Sequence, residues 1–143
     1  MTVFQHTVDV TSNNYLAHYS LGVEYSAQGN LDRATYHYSE ALRIHPESDD
    51  TYYNLGNVFF RKKKPNKAIQ HYEQALKINP DCEKTHNNLG IALATQGNIK
   101  EAISHFSEAL RINPNYKEAR DNLALVLHRY ENPDKIKGTL IKP

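Results

Sequence analysis

Several features that mark familiar classes of protein are missing from this sequence. Its 143 residues include one cysteine, Cys82, so an internal disulfide cannot form and a cysteine-based metal cluster is excluded. No run of about 18 apolar residues occurs, so we expect no membrane-spanning helix in this chain. The N-terminus lacks the basic stretch and apolar core of a secretory signal. The net charge is only +1, which does not favour binding to nucleic acid.

Common sequence motifs of enzyme active sites are missing as well. The chain has no glycine-rich phosphate loop, no nucleophile elbow and no HExxH sequence. We therefore expect neither enzymatic activity nor a cofactor.

The sequence contains one pattern of residues that occurs three times, at a spacing of 34 residues. A Leu-Gly pair is followed at fixed distances by an alanine, an aromatic residue, a second alanine and a proline. These positions are Leu21-Gly22, Leu55-Gly56 and Leu89-Gly90; Ala34, Ala68 and Ala102; Tyr38, Tyr72 and Phe106; Ala41, Ala75 and Ala109; Pro46, Pro80 and Pro114. A fixed period of this length is typical of a repeat array, an architecture that more often binds partners than performs chemistry.

Within each repeat the apolar spacing predicts two helices separated by a tight turn. When the repeats are numbered from Tyr15, Asp49 and Glu83, apolar, aromatic-ring or small residues occupy positions 4, 7, 8 and 11 and then 20, 24, 27 and 28. Gly29 and Gly97 suit the left-handed residue that ends a helix. Lys63 occupies the equivalent position, so we expect its turn to be the most strained of the three if it keeps the same geometry. After the prolines, Asp81 and Asn115 are predicted to cap the next helix.

This framework resembles the tetratricopeptide repeat, whose signature has the same early Leu-Gly and later Ala, aromatic, Ala and Pro. The resemblance implies an all-α fold, a right-handed superhelical solenoid of antiparallel helix pairs. The predicted organisation is a leading half-repeat helix at 1–14, repeats at 15–48, 49–82 and 83–116, a capping helix at 117–131 and a tail at 132–143. His18 and His86 replace the tryptophan of the signature and are expected to pack between helices.

The two ends of the chain interrupt the pattern. Residues 3 to 11 have the apolar spacing of a second helix without its partner, and 117–131 that of a first helix without its partner. Leu123 and Leu127 are therefore expected to be partly uncovered. Either the tail residues Ile136, Leu140 and Ile141 fold over the last helix, or a second copy covers it. The chain is thus predicted to be a fragment of a larger protein or to form a homo-oligomer through its terminal helices.

A second resemblance concerns the start of the chain. Residues 4 to 7 and 10 to 18 are similar to the junction that precedes the repeats in some bacterial membrane glycosyltransferase-like proteins. That resemblance implies an accessory domain tethered to a membrane protein. Otherwise the expectation is a soluble, cytoplasmic protein.

The positions outside the framework indicate where a partner would bind. Positions 2, 5, 6, 9, 12 and 13 of each first helix share the face opposite the packed one, which lines the concave side of a solenoid. This face is rich in asparagine, whose amide can pair with the N–H and C=O of an extended peptide. The predicted peptide-binding residues are Tyr19, Tyr53, Asn54, Asn57, Phe60, Lys84, Asn87, Asn88 and Asn122.

At position 6, Asn54, Asn88 and Asn122 also resemble the asparagine row that binds substrate peptides in O-linked N-acetylglucosamine transferase, although Ser20 departs from it. The alternative is that these asparagines only keep the helix surface polar. A clamp for the carboxyl end of chaperone tails is disfavoured, because it needs Lys, Asn, Asn, Lys and Arg. The corresponding positions here are Tyr19, Val23, Asn54, Lys84 and Asn88, of which two match.

Three histidines also recur at the repeat spacing, His37, His71 and His105. Ligands of one metal ion must converge within a few ångströms. Because these residues lie one repeat apart, we expect them to be structural and predict no metal site.

Overall fold

A computed structural model describes residues 14 to 133, which form seven α-helices and no strands. The helices are α1 (Tyr15–Ala27), α2 (Leu31–Ile44), α3 (Asp49–Arg61), α4 (Pro65–Ile78), α5 (Glu83–Thr95), α6 (Ile99–Ile112) and α7 (Lys117–Glu131). The predicted all-α fold of repeated helix pairs is confirmed, and its right-handed superhelical course stays a prediction. The predicted leading helix and the tail residues Ile136, Leu140 and Ile141 lie outside the described residues.

The chain divides into two compact units, Met1–Ile78 and Asn79–Pro143. In the first unit α1 packs on α2, α3 packs on α4, and α2 also contacts α3. In the second unit α5 packs on α6, and α6 packs on α7. Among the described helices, none combines the length and the apolar character needed to cross a membrane.

The core of each helix pair is built from the recurring framework residues. The alanines of the second helices are fully buried, as are the aromatic side chains that follow them. Glycine is required opposite each aromatic ring: a Cβ atom at Gly56 would lie 2.5 Å from the Tyr72 ring, and one at Gly90 would lie 2.7 Å from Phe106. The Leu-Gly pair therefore sets the close approach of the two helices in a repeat.

The three turns between paired helices share one geometry. Gly29 and Gly97 have φ angles of +78° and +83°, and Lys63 has a φ of +58° in the same place. The amide of Lys63 donates to the Phe60 carbonyl at 3.0 Å, as the amide of Gly97 donates to Ala94 at 3.1 Å. Lys63 therefore keeps the left-handed geometry of the two glycines.

The predicted caps at Asp81 and Asn115 are wrong. The N-cap residues of α5 and α7 are Cys82 and Tyr116, whose side chains make no capping hydrogen bond. Each helix begins one residue later than the capping prediction required, so the side chains at 81 and 115 do not reach the free amides. Asp81 instead accepts a hydrogen bond from Arg111 at 3.3 Å.

The last described helix has the fewest buried residues. Ala119 and Val126 are buried, but Leu127 is 37% exposed and Tyr130 is 51% exposed. The expectation that Leu127 is partly uncovered is confirmed, while Leu123 is half-buried.

Candidate functional site

The predicted binding residues all lie on the first helices of the repeats. In the first unit, Tyr19 is on α1, and Tyr53, Asn54, Asn57 and Phe60 are on α3. In the second unit, Lys84, Asn87 and Asn88 are on α5 and Asn122 is on α7. Lys84 is exposed, Asn87 is buried, and the others are half-buried. Each unit therefore carries its own group of these residues.

In the first unit the structure joins Asn54 to Tyr19. The Asn54 Nδ2 donates to the Tyr19 hydroxyl oxygen at 3.0 Å, across a separation of 35 residues. Burial, with a smaller contribution from nearby Asp50, raises the pKa of Tyr19, so its hydroxyl stays neutral and keeps a proton to donate. The Tyr19 ring is held between Tyr15 and Tyr38, each with its ring centroid 6.0 Å away.

The second unit repeats this arrangement with different chemistry. Asn87 replaces the tyrosine, and its Oδ1 accepts from Asn122 Nδ2 at 3.1 Å, again across 35 residues. The Asn87 Nδ2 then donates to Asn88 Oδ1 at 3.3 Å. In both units, an asparagine at position 6 therefore donates to position 5 of the preceding first helix. We call the two contacts, Asn54–Tyr19 and Asn122–Asn87, the amide ladder.

The ladder leaves part of each position-6 amide available. An asparagine side chain has two N–H donors and one oxygen acceptor. Asn54 and Asn122 each use one N–H in the ladder, and within residues 14 to 133 neither Oδ1 accepts a hydrogen bond. Held in one orientation, each amide retains an acceptor and a donor for a ligand.

Asn57 and Asn87 make contacts that hold the fold together. Asn57 Oδ1 accepts from the hydroxyl of Tyr72, a core residue, at 2.7 Å. Asn87 is buried within the ladder. Both residues therefore support the face, and their oxygens are less available to a peptide than those of Asn54 and Asn122.

Sequence reasoning missed an apolar element of the first unit. Leu16 is 68% exposed and Val23 is 44% exposed, and both lie on α1. They are three residues before and four residues after Tyr19, so the three side chains share one face of the helix. The signal was available, because Leu16 occupies position 2 of the predicted binding face.

Sequence reasoning also missed what the recurring histidines contact. The His37 Nδ1 lies 3.0 Å from the Nδ1 of His18 in the paired helix. His86 and His105 form the equivalent pair, also at 3.0 Å. The prediction that His18 and His86 pack between helices is confirmed. The overlooked signal was histidine at both position 4 and position 23 of the first and third repeats.

The second repeat replaces this histidine pair with an aromatic stack. Tyr52 stands in place of the first histidine, and the His71 ring stacks on Phe59 with centroids 5.1 Å apart. The Lys67 ammonium lies 5.3 Å from the Phe59 centroid on the same cluster. Burial first, and Lys67 second, lower the pKa of His71 below its ordinary value.

The sequence matches a family model described as the tetratricopeptide repeat at residues 49–82 and 83–116, and a second model, described as TPR repeat, at residues 22–63. Together these matches cover well over half of the chain. The chain belongs to the tetratricopeptide repeat (TPR) family. No curated protein matches this TPR chain.

Several solved TPR structures have the same fold. The first TPR domain of Spaghetti (RPAP3), bound to the HSP90 peptide SRMEEVD, is 24% identical with a TM-score of 0.80, over 82% of this chain and 93% of that one. YrrB, described as a TPR protein with an unusual peptide-binding site, is 25% identical with a TM-score of 0.79, over 92% of this chain and 68% of that one. The Arabidopsis OM64 TPR domain is 21% identical with a TM-score of 0.76, over 78% and 93%.

Proposed function

We propose that this TPR chain is a non-catalytic protein-interaction module that binds an extended peptide segment through the asparagine- and tyrosine-rich faces of its first helices. The observation that carries the proposal is the amide ladder. It orients Asn54 and Asn122 while leaving each of them an unused acceptor and donor. An amide fixed before binding loses less side-chain entropy when a ligand arrives, which favours binding.

The chemistry of these faces suits the peptide backbone. A peptide unit presents one N–H and one C=O, and an asparagine amide pairs with both. Because the backbone is common to every peptide, such contacts support binding to many sequences. Each contact contributes about 0.5–1.5 kcal/mol, so a few of them give weak and broad binding.

Apolar side chains in the first unit add a preference. Leu16 and Val23 flank Tyr19 on α1 and are exposed. An apolar residue of the ligand would remove their surface from water at about 25 cal/mol per Å². We therefore propose an extended peptide with an apolar side chain opposite α1.

A grip on a terminal carboxylate is less well supported in the first unit. Where that clamp needs a lysine and an asparagine, this chain has the neutral hydroxyl of Tyr19 and the apolar Val23. A carboxylate is bound most strongly by charged donors, and neither residue supplies one. The description of the RPAP3 structure names a bound peptide and that of YrrB a peptide-binding site, which supports peptide binding in general.

The test removes the two ladder donors together, as Asn54→Ala with Asn122→Ala. A peptide selected from an array of apolar-containing sequences is titrated by fluorescence anisotropy against the wild type and the double variant. Losing two contacts of this size predicts binding weaker by roughly 5- to 150-fold. The matched control is Gln70→Ala with Gln74→Ala, which removes two exposed amides from α4.

A separate variant distinguishes binding from folding. Tyr19→Phe breaks the ladder at Asn54 but leaves the asparagine in place, so thermal melting shows how much the ladder stabilises the first unit. Unchanged peptide affinity in a folded Asn54→Ala, Asn122→Ala protein would show that the asparagines serve only the ladder. An equal loss in the glutamine control would show that the effect is not specific to these faces.

A second candidate function, a self-association scaffold, is favoured by the exposed side chains of α7. Leu127 and Tyr130 together leave apolar surface uncovered on the last described helix. Light scattering over a concentration range is expected to show a dimer that Leu127→Gln weakens. A monomer at every concentration would rule this function out.

A further inference from the structure

The third repeat brings two histidines into a geometry that the peptide-binding proposal does not use. His86 on α5 and His105 on α6 have their Nδ1 atoms 3.0 Å apart, with ring centroids separated by 5.2 Å. The Nε2 of His86 lies 2.9 Å from the carbonyl oxygen of Pro80. A carbonyl can only accept, so this Nε2 carries the proton. In the neutral ring the lone pair of His86 Nδ1 therefore faces His105.

We propose that His86 and His105 form a two-histidine chelate for a divalent transition metal ion such as Zn²⁺, with water completing the coordination. Imidazole nitrogens bind zinc at about 2.0–2.1 Å, so two ligands at angles of 90–110° lie about 2.8–3.4 Å apart. The observed 3.0 Å falls in this range. The metal would take the place of the proton now between the two nitrogens, and His105 would change to its other neutral tautomer, with its one ring proton on Nε2.

The Pro80 contact is the kind of support that metal-binding histidines have. A ligating histidine usually donates its other ring N–H to a carbonyl or carboxylate, which fixes the tautomer and the ring orientation. His86 already makes this bond, so its tautomer is fixed with the lone pair on Nδ1 before any metal arrives. To bind an ion, His105 changes tautomer and the rings rotate until both Nδ1 lone pairs point at it.

Nearby charge selects the third repeat over the first. Glu101 and Glu108 are the charged side chains that act on His105, although Glu108 also pairs with Arg111 at 2.7 Å. Because Arg111 offsets Glu108, Glu101 supplies the net negative charge that favours a divalent cation. His86 is 8% exposed and His105 is half-buried, so an ion would reach the pair from the His105 side.

The equivalent pair of the first repeat lacks these properties. His18 and His37 are only 3% and 6% exposed. Arg33 and Arg43 lie close enough to act on this pair, against a single carboxylate from Glu40. Two cations and deeper burial disfavour a metal ion there, so the first pair serves as an internal comparison.

The number of ligands limits the strength of the site. In the described part of the chain, no group of three or more His, Cys, Asp or Glu side chains is placed to hold one ion. Two histidines with water predict an exchangeable ion rather than one required for folding. This inference does not depend on the proposed peptide binding, because none of its residues belongs to the amide ladder.

The test uses the untagged full chain in a buffer that does not bind metal. Isothermal titration with ZnCl₂ at pH 7.5 is expected to show one equivalent bound to the wild type. His105→Gln is expected to weaken binding at least about tenfold, since even the loss of a supporting residue weakens metal binding about 10- to 100-fold. His71→Gln is the matched control, because it removes the unpaired histidine of the second repeat, and it should bind like the wild type.

A second measurement locates the ion without a substitution. Paramagnetic Ni²⁺ is expected to broaden the NMR signals around His86 and His105 first, whether or not His105→Gln folds. No binding by the wild type, equal affinity in a folded His105→Gln protein, or broadening centred on another histidine would each overturn the proposal.

Discussion

Lys63 offers a direct measure of the strain held in one turn of the array. It has a φ of +58°, in the place where the first and third repeats have glycines at +78° and +83°. The following amide, from Lys64, donates to Phe59 at 2.9 Å, just as the amide after Gly97 donates to Leu93 at 2.9 Å. The backbone is thus the same with and without a Cβ atom.

The size of the effect follows from this geometry. An L-residue in the left-handed region is less stable by about 1–2 kcal/mol. Glycine is released from that strain but loses more conformational freedom on folding, which offsets about 0.5–1 kcal/mol. Lys63 is exposed and makes no ion pair within the described residues, so removing its side chain adds no further loss. Lys63→Gly is therefore expected to raise the free energy of unfolding by about 0.5–1 kcal/mol.

The assay is urea denaturation followed by circular dichroism, comparing Lys63→Gly with the reverse change, Gly97→Lys. A Cβ atom at Gly97 would meet nothing within 4 Å, so the reverse change tests backbone strain without a steric clash. We expect the midpoint to rise for the first variant and to fall for the second, with little change in slope. If both variants match the wild type, or if Lys63→Gly destabilises, the account of strain at this turn is wrong.

Two further predictions concern packing and pH. Gly56→Ala should destabilise the protein more than Gly90→Ala, by about 1 kcal/mol. The reason is that the Tyr72 ring that must move is anchored by a 2.7 Å hydrogen bond, whereas the Phe106 ring is not. Equal losses of stability in urea denaturation would contradict this. The pKa of His71 lies below its ordinary 6.5, so below that pH the unfolded chain takes up a proton before the folded one. The contribution of His71 to the free energy of unfolding should therefore be constant above pH 6.5. As the pH is lowered from 6.5 it should decrease, by at most about 1.4 kcal/mol per pH unit, and His71→Gln should make stability less dependent on pH in this range. An unchanged slope in that variant would refute the assignment.

The sequence alone determined the helix pairs and the residues that hold them together. Each framework position has a local reason for its residue type. Gly56 lies opposite Tyr72 because a larger residue would clash with the ring, and the left-handed turn favours glycine at position 97. These requirements recur with the period, so the pattern exposes them. At Lys63 the two glycines of the equivalent turns indicated strain only if the geometry is kept, and the φ of +58° shows that it is.

The partners of the candidate site residues were decided only by tertiary structure. Asn54 reaches Tyr19 across 35 residues, and His86 reaches His105 across 19. A periodic pattern shows that such residues recur, but it does not show which side chains meet, because that depends on helix packing and rotamers. The sequence therefore indicated an asparagine face and excluded a metal by comparing histidines in successive repeats. The packing of neighbouring helices joins asparagines of that face in the amide ladder. It also brings the histidines of paired helices together, whereas the sequence comparison had considered only histidines one repeat apart.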